Sequence, residues 1–179
     1  MTLGRLRLAL WALVAIAAAG ILFLALRPRS EAPVELSIAS IGGPFTLTDA
    51  DGKPFASSRL TGKPAAIFFG FTHCPDVCPT TLARLTKLRR QLGKGDDALS
   101  VVFITVDPER DTPAELKTYT SLFDSPVISL TGSVADIERV KKQFGVFSQK
   151  APQPGGGYSV DHTATVFLMD RDGHFSSTL

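Results

Sequence analysis

The chain has 179 residues, a formal net charge of +2 and 44% hydrophobic side chains, enough for one ordinary domain with an appendage, since domains cluster at roughly 100 to 150 residues. The positive sign is misleading: four of the 19 Lys and Arg flank an apolar N-terminal run while all 17 Asp and Glu lie beyond it, leaving the body with 15 bases against 17 acids. That balance excludes a basic nucleic-acid-binding surface, and two cysteines four positions apart exclude a disulfide scaffold, because so short a loop gains little stability from closure.

The run LALWALVAIAAAGILFLAL, residues 8–26, carries no charge and as a helix would reach about 28 Å, close to the thickness of bilayer hydrocarbon. It is expected to be an uncleaved transmembrane anchor. Ala17, Ala18 and Ala19 could mimic a signal-peptide cleavage site, but the run continues through Ile21, Leu22, Phe23 and Leu24. Arg5 and Arg7 before the span, against Arg27, Arg29 and Glu31 after it, favour a cytoplasmic N-terminus. The short N-terminus lacks an Arg- and Ser-rich presequence. The expected location is therefore a bacterial inner membrane, single-pass, with the C-terminal domain in the periplasm. Residues 30–41 read as a linker, and the folded domain is expected over residues 42–179.

Asp51-Gly52 lies between alternating apolar positions and predicts a tight hairpin turn. The continuous apolar run PAAIFFGF, residues 64–71, predicts a strand buried on both faces. Leu82, Leu85, Leu88 and Leu92 then recur at helical spacing up to Gly93. SVVFITV predicts a second buried strand, and Thr112, Pro113 and Glu115 fit N-cap, N1 and N3 of a second helix. PVISL predicts a third strand; Ser133 and Asp136 cap a helix through Phe144 that Gly145 closes. QKAPQPGGGY reads as a loop, followed by a strand in VDHTATVFLMD, a turn at Arg171-Asp172-Gly173 and a final strand. Phe68, Phe69, Phe71, Val101, Phe103, Ile104, Phe167 and Leu168 fall on the predicted strands and read as core. Strands alternating with helices and ending in a hairpin require a mixed sheet, because parallel strands need crossover connections. The expected fold class is α/β, a thioredoxin-like mixed sheet with flanking helices.

The two cysteines stand in FFGFTHCPDVCPTT, just beyond the first buried strand. Pro79 suits a first helical turn and the residue before a proline avoids the helical region, so Cys78 is expected as N-cap, with its sulfur facing free amides that favour the thiolate. Pro75-Asp76 can turn Cys74 back toward it. Two thiolates sharing one tetrahedral or trigonal ion sit about 4 Å apart, which this loop can supply. A metal needs a further ligand. His73 points away from the side that Cys74 faces and reads as a loop residue; His174 follows a turn and reads as solvated. His162, after the Gly-rich loop, fits a ligand and a packed core or edge histidine equally well. Asp76 reads as a turn former, and Asp107, Pro108, Glu109, Arg110 and Asp111 as an ordered strand-to-helix loop, placed where such loops face a site at the C-terminal ends of strands.

FFGFTHCPDVCPTTL, FITVDPERDTP and YSVDHTATVFLMDRDG, in that order behind an N-terminal anchor, resemble the Sco/SenC family of copper chaperones for cytochrome c oxidase assembly. The resemblance runs from about residue 42 to 173. It implies a thioredoxin-like fold, copper ligands at Cys74, Cys78 and His162, and delivery of copper to, or preparation of the thiols of, the copper A site of oxidase subunit II. Other copper chaperones are further expected partners. Family members usually continue past the Asp-x-Gly turn into a strand and a closing helix, whereas this sequence stops at Leu179; a C-terminally truncated domain, with apolar surface exposed on one sheet face, is the corresponding expectation.

Two thiolates and an imidazole suit Cu(I) and can hold Cu(II), whereas structural zinc ordinarily takes a fourth protein ligand. The alternative is a thiol-disulfide oxidoreductase using Cys74 and Cys78, against which stands a spacing of three intervening residues where thioredoxin-type motifs have two. A peroxide-reducing enzyme of the same broad fold would need hydroxyl and guanidinium support for its cysteine, and no arginine is assigned to that role from sequence.

Overall fold

The computed structural model describes residues 41–93, 95 and 98–179, together with Gly4, Arg7, Trp11, Ala12, Leu13, Ile16, Gly20 and Phe23. These last eight are helical and exposed. Most of the expected 8–26 span and residues 30–40 of the expected linker lie outside the described residues; among the described residues no helix is long and apolar enough to cross a membrane. The chain divides into two compact units, Met1–Leu36 and Ser37–Leu179, and the elements that follow belong to the second.

Seven strands form one sheet in the order β2 (Pro54–Ala56), β1 (Thr46–Asp49), β5 (Ile128–Thr131), β4 (Ser100–Thr105), β3 (Ala65–Gly70), β8 (Val166–Met169), β9 (Phe175–Thr178). Its centre is β3 (Ala65–Gly70) beside β4 (Ser100–Thr105), paired in parallel from Ala65↔Ser100 to Gly70↔Thr105, with every residue buried. Such strands read as unbroken apolar runs because both faces are covered. β5 (Ile128–Thr131) extends the parallel part, and β8 (Val166–Met169) runs antiparallel to β3 on its other side, carrying β9 (Phe175–Thr178) at the edge. The hairpin β1 (Thr46–Asp49) and β2 (Pro54–Ala56) adds to β5 antiparallel. Its turn is wider than two residues: Lys53 N donates to Asp49 Oδ1 at 2.9 Å, and Gly52 takes the positive φ of 77°.

Helices α1 (Val77–Gln91) and α2 (Pro113–Thr120) supply the two parallel crossovers, and α3 (Val134–Phe144) follows β5. Two caps fall where the sequence puts them, Thr112 accepting from Glu115 N at 3.3 Å and Ser133 from Asp136 N at 3.1 Å, and Gly145 ends α3 at a left-handed φ of 66°. Strand order, parallel centre and covering helices make this a thioredoxin-like α/β fold. Of the predicted core, Phe68, Phe69, Phe71, Val101, Phe103, Ile104 and Phe167 are buried and Leu168 is partly exposed.

One expectation fails. Half of the stretch read as a loop, residues 149–158, belongs to a second, two-stranded sheet: β6 (Ser148–Pro152) pairs antiparallel with β7 (Tyr158–His162), Ser148 opposite His162 and Pro152 opposite Tyr158. Four of the five β6 residues are Ser, Gln, Lys and Pro, and three of the five are exposed, so no apolar alternation marks it. Pro152 is tolerated because it ends a strand paired on one side only. The turn between Gln153 and Tyr158 is Pro154 followed by Gly155, Gly156 and Gly157 at φ of 95°, 99° and 79°. His162 therefore closes β7 and does not open the apolar strand.

Candidate metal centre

β3 ends at Gly70, and the chain turns through Phe71, Thr72 and His73 into α1, so both cysteines sit at the C-terminal mouth of the parallel strands. Thr72 anchors that turn to the fold: its amide donates to Asp111 Oδ2 at 3.0 Å and its hydroxyl to Asp111 Oδ1 at 2.6 Å, while Thr105 at the end of β4 donates its hydroxyl to Oδ2 at 2.6 Å. Asp111 is fully buried. A buried carboxylate accepting three hydrogen bonds fixes the cysteine loop against β4 and the approach to α2.

The helix begins two residues earlier than expected. Asp76 is the N-cap, Cys78 lies in the first turn, and Pro79 costs no hydrogen bond there because first-turn amides have no intrahelical acceptor. This reverses the roles of the two sulfurs. The Cys78 amide donates to Cys74 Sγ at 3.5 Å, so the helix N-terminus serves Cys74. Cys78 points into the core, fully buried, and desolvation pushes its thiol pKa well above the ordinary value, with a backbone hydrogen bond from Phe71 opposing and the Cys74 and Asp111 charges adding to the rise. The expected thiolate at Cys78 is a neutral thiol in the metal-free protein.

Both cysteines are free thiols. In the metal-free protein at pH 8 a thiol-specific alkylating reagent is expected to label the partly exposed Cys74 first and Cys78 only as the chain opens. Peptide mapping of a time course reads this directly, and equal rates at the two sites would contradict the burial of Cys78.

His162 arrives from β7. Its Nε2 lies 3.5 Å from Cys78 Sγ, and its Nδ1 lies 3.0 Å from the Thr163 carbonyl. A carbonyl only accepts, so Nδ1 carries the proton and Nε2 turns a lone pair toward the sulfurs. The ring stands edge-on to Phe68 and Phe71, with centroids 6.1 and 5.8 Å away, which restricts its rotation. One ligand atom each from Cys74, Cys78 and His162 lie within 4.8 Å of one another. His162 is thus both packed against the core aromatics and within reach of the two sulfurs.

His73 does not join this group; it is half-exposed, 3.0 Å from the Thr72 hydroxyl and 3.8 Å from Asp111. His174 is exposed on the β8–β9 turn beside Asp170 and Asp172. Those three offer ligand atoms at metal-binding separations, but Asp170 Oδ1 already accepts the amides of Asp172 and His174. Arg110 and Asp111 belong to the loop that the sequence reading aimed at the site; what that reading did not give is their contacts, Asp111 accepting from Thr72 and the Arg110 guanidinium 5.8 Å over the Phe71 ring.

A family model for SCO1/SenC matches residues 34–179. The chain belongs to the SCO1/SenC family. Among solved structures of the family, Bradyrhizobium japonicum ScoI with copper bound is 50% identical, with a TM-score of 0.74 over 78% of this chain and 88% of that one. Mitochondrial protein SCO2 of Saccharomyces cerevisiae is 40% identical over 159 residues, 86% of this chain but 53% of the yeast protein, so this chain spans about half of that relative's length. BsSco, described as a member of the Sco family of cytochrome c oxidase assembly proteins with a disulfide switch, is 28% identical at a TM-score of 0.60, over 78% of this chain and 83% of that one.

Proposed function

We propose that this chain is a copper-binding protein of cytochrome c oxidase assembly in which Cys74, Cys78 and His162 hold the ion. The observation that carries the reading is the convergence of two sulfurs and a bare imidazole nitrogen within 4.8 Å, brought together from positions 84 residues apart. Thiolates select soft ions, imidazole accepts copper in either oxidation state, and a three-membered donor set leaves a coordination position open to an incoming ligand, as transfer requires. Metal binding replaces the proton that burial keeps on Cys78, so uptake releases protons and tightens as pH rises.

The finer reading is a membrane-tethered donor. The uncharged residues 8–26 would anchor it in an inner membrane with its body in the periplasm. There it would deliver copper to, or prepare the thiols of, the copper A site of oxidase subunit II, itself loaded by another copper chaperone. Support comes from the family, from the apolar run and from the placement of the site at the mouth of the sheet.

A second reading rests on the cysteine geometry: Cys74, partly exposed at a helix N-terminus, and Cys78, buried behind it, are arranged as an attacking and a resolving thiol. Cu(I) titration of the full chain against a competing chelator separates the two. Cys74→Ala, Cys78→Ala and His162→Ala are each expected to weaken binding by about tenfold to a hundredfold or more; unchanged affinity in all three would refute the copper site. Reduction of an oxidised dithiol peptide at a rate indifferent to His162→Ala would favour the oxidoreductase.

A further inference from the structure

The third ligand stands on a two-stranded sheet whose partner strand is mostly exposed. In a strand alternate residues share a face, so Tyr158, Val160 and His162 all look toward the body of the domain, with Tyr158 and His162 about 13 Å apart. Val160 is buried between them. His162 meets Cys78 at one end. At the other, Tyr158 meets the loop between β4 and α2: its hydroxyl donates to Asp107 Oδ1 at 2.9 Å, and its carbonyl accepts from Arg110 Nη1 at 3.0 Å. The Arg110 guanidinium lies 3.8 Å over the Tyr158 ring, and its Nε is paired with buried Asp107. Lys150, opposite Val160 on β6, pairs with Glu109 of the same loop, and its Nζ lies 4.7 Å over the Tyr158 ring.

We infer that Asp107, Arg110 and Tyr158 form a latch that positions His162 over the two sulfurs, and that the latch sets how firmly the site keeps its imidazole while leaving the two cysteines in place. Two routes couple it to the ring. One is β7 itself, a rigid segment pinned at Tyr158 and at His162. The other is Phe71, which has the Arg110 guanidinium 5.8 Å from its ring centre and the His162 ring standing at 90° to it. The cysteines have their own anchor in Thr72, Asp111 and Thr105, so the two halves of the site are held by different parts of the β4–α2 loop. A carrier needs this division: an ion held by all three donors is retained, and an ion held by sulfur alone is open to capture by a partner's ligands. None of the three latch residues is among the three donors of the site, so they act through His162 as positioning residues.

The inference rests on the copper reading of Cys74, Cys78 and His162. It is tested on the full chain with Tyr158→Leu, Tyr158→Phe and Arg110→Lys, each alone and combined with His162→Ala. Tyr158→Leu is expected to weaken copper binding by about tenfold, within the range for residues that orient a metal ligand. Tyr158→Phe keeps the stack on Arg110 and loses only the bond to Asp107, so its loss should be smaller. Arg110→Lys keeps the charge but not the planar stack or the fork. In the His162→Ala background all three effects should vanish, because the latch then has no ligand to place. Cu(II)-loaded latch variants should show nitrogen coupling weakened toward that of His162→Ala, with thiolate charge-transfer bands retained. In the metal-free protein, amide exchange along β7 should quicken. Should Tyr158→Leu fail to fold by circular dichroism and melting, Tyr158→Phe and Arg110→Lys carry the test. Latch variants that bind copper as the parent does, or that lose as much affinity without His162 as with it, overturn the latch alone. Copper binding indifferent to the cysteines and His162 overturns the site itself.

Discussion

Gly70→Ala is expected to lower the melting temperature by about 5–10 °C, the equivalent of roughly 2–3 kcal/mol of overpacking in a chain of this size, and to strip copper from the site. Gly70 is the last residue of β3, and its backbone angles do not demand glycine; the requirement is for space. A methyl group there would stand 2.6 Å from Cys78 Sγ, 2.7 Å from the Phe103 ring edge and 3.2 Å from the Phe68 ring. All three neighbours are fully buried, so none can swing into solvent. The sulfur is the one whose displacement matters chemically, since Cys78 Sγ also meets His162 Nε2. The double variant Gly70→Ala/Phe103→Leu separates the two consequences. Shortening the ring relieves one clash and should return part of the melting temperature, while the sulfur remains displaced and copper affinity stays low. A Gly70→Ala protein that melts and binds copper as the parent does would mean that Cys78 is not held by close packing against β3.

The strands that build the floor of the site were legible because they are extreme. β3 and β4 are buried on both faces, and an unbroken apolar run between turn residues has few other readings. The caps of α2 and α3 were legible because a cap is a local device within four residues. The start of α1 was misread because a local rule competed with packing. The residue before a proline avoids the helical region, yet Cys78 is helical, and burying its side chain together with the bond from Thr80 N to the Asp76 carbonyl outweighs that preference. The error carried a chemical consequence, for it assigned the helix amides to the wrong sulfur. β6 was invisible because it pairs with one strand only and leaves most of its side chains in water. His162 was undecided for the same reason: without β6 there was no strand to aim it. Arg110 and Tyr158, 48 positions apart, and Asp111 and Thr72, 39 apart, met only in three dimensions. Asp107 to Asp111 could be read as a loop facing the site, but not as two separate anchors.

Asp111→Ala is expected to cost about 3–5 kcal/mol, the range for removing one partner from a buried charged network, and to loosen the cysteine loop more than any substitution outside the ligands. The carboxylate accepts from Thr72 N, Thr72 Oγ1 and Thr105 Oγ1; its loss leaves the Thr72 amide and the buried Thr105 hydroxyl without this acceptor, while the Thr72 hydroxyl keeps His73 Nδ1 at 3.0 Å. Each stranded donor costs about 1–3 kcal/mol, less what rotation of the two hydroxyls recovers. The Thr72 amide cannot rotate away, because it belongs to the backbone that leads to Cys74. Asp111→Asn distinguishes anchoring from charge. Its amide oxygen can keep the bonds at the Oδ2 position, to Thr72 N and Thr105 Oγ1, and its NH2 group can donate to the Thr72 hydroxyl where the carboxylate accepted. The expected cost is then about 1–2 kcal/mol, with Cys74 nearly in place. Cys74 alkylation rates and Cu(I) affinity, measured with denaturant unfolding on the same proteins, should follow the order parent, Asn, Ala. If Asp111→Ala unfolds within about 0.5 kcal/mol of the parent, Asp111 does not anchor the loop, and the placement of Cys74 must come from its own helix-amide contact alone.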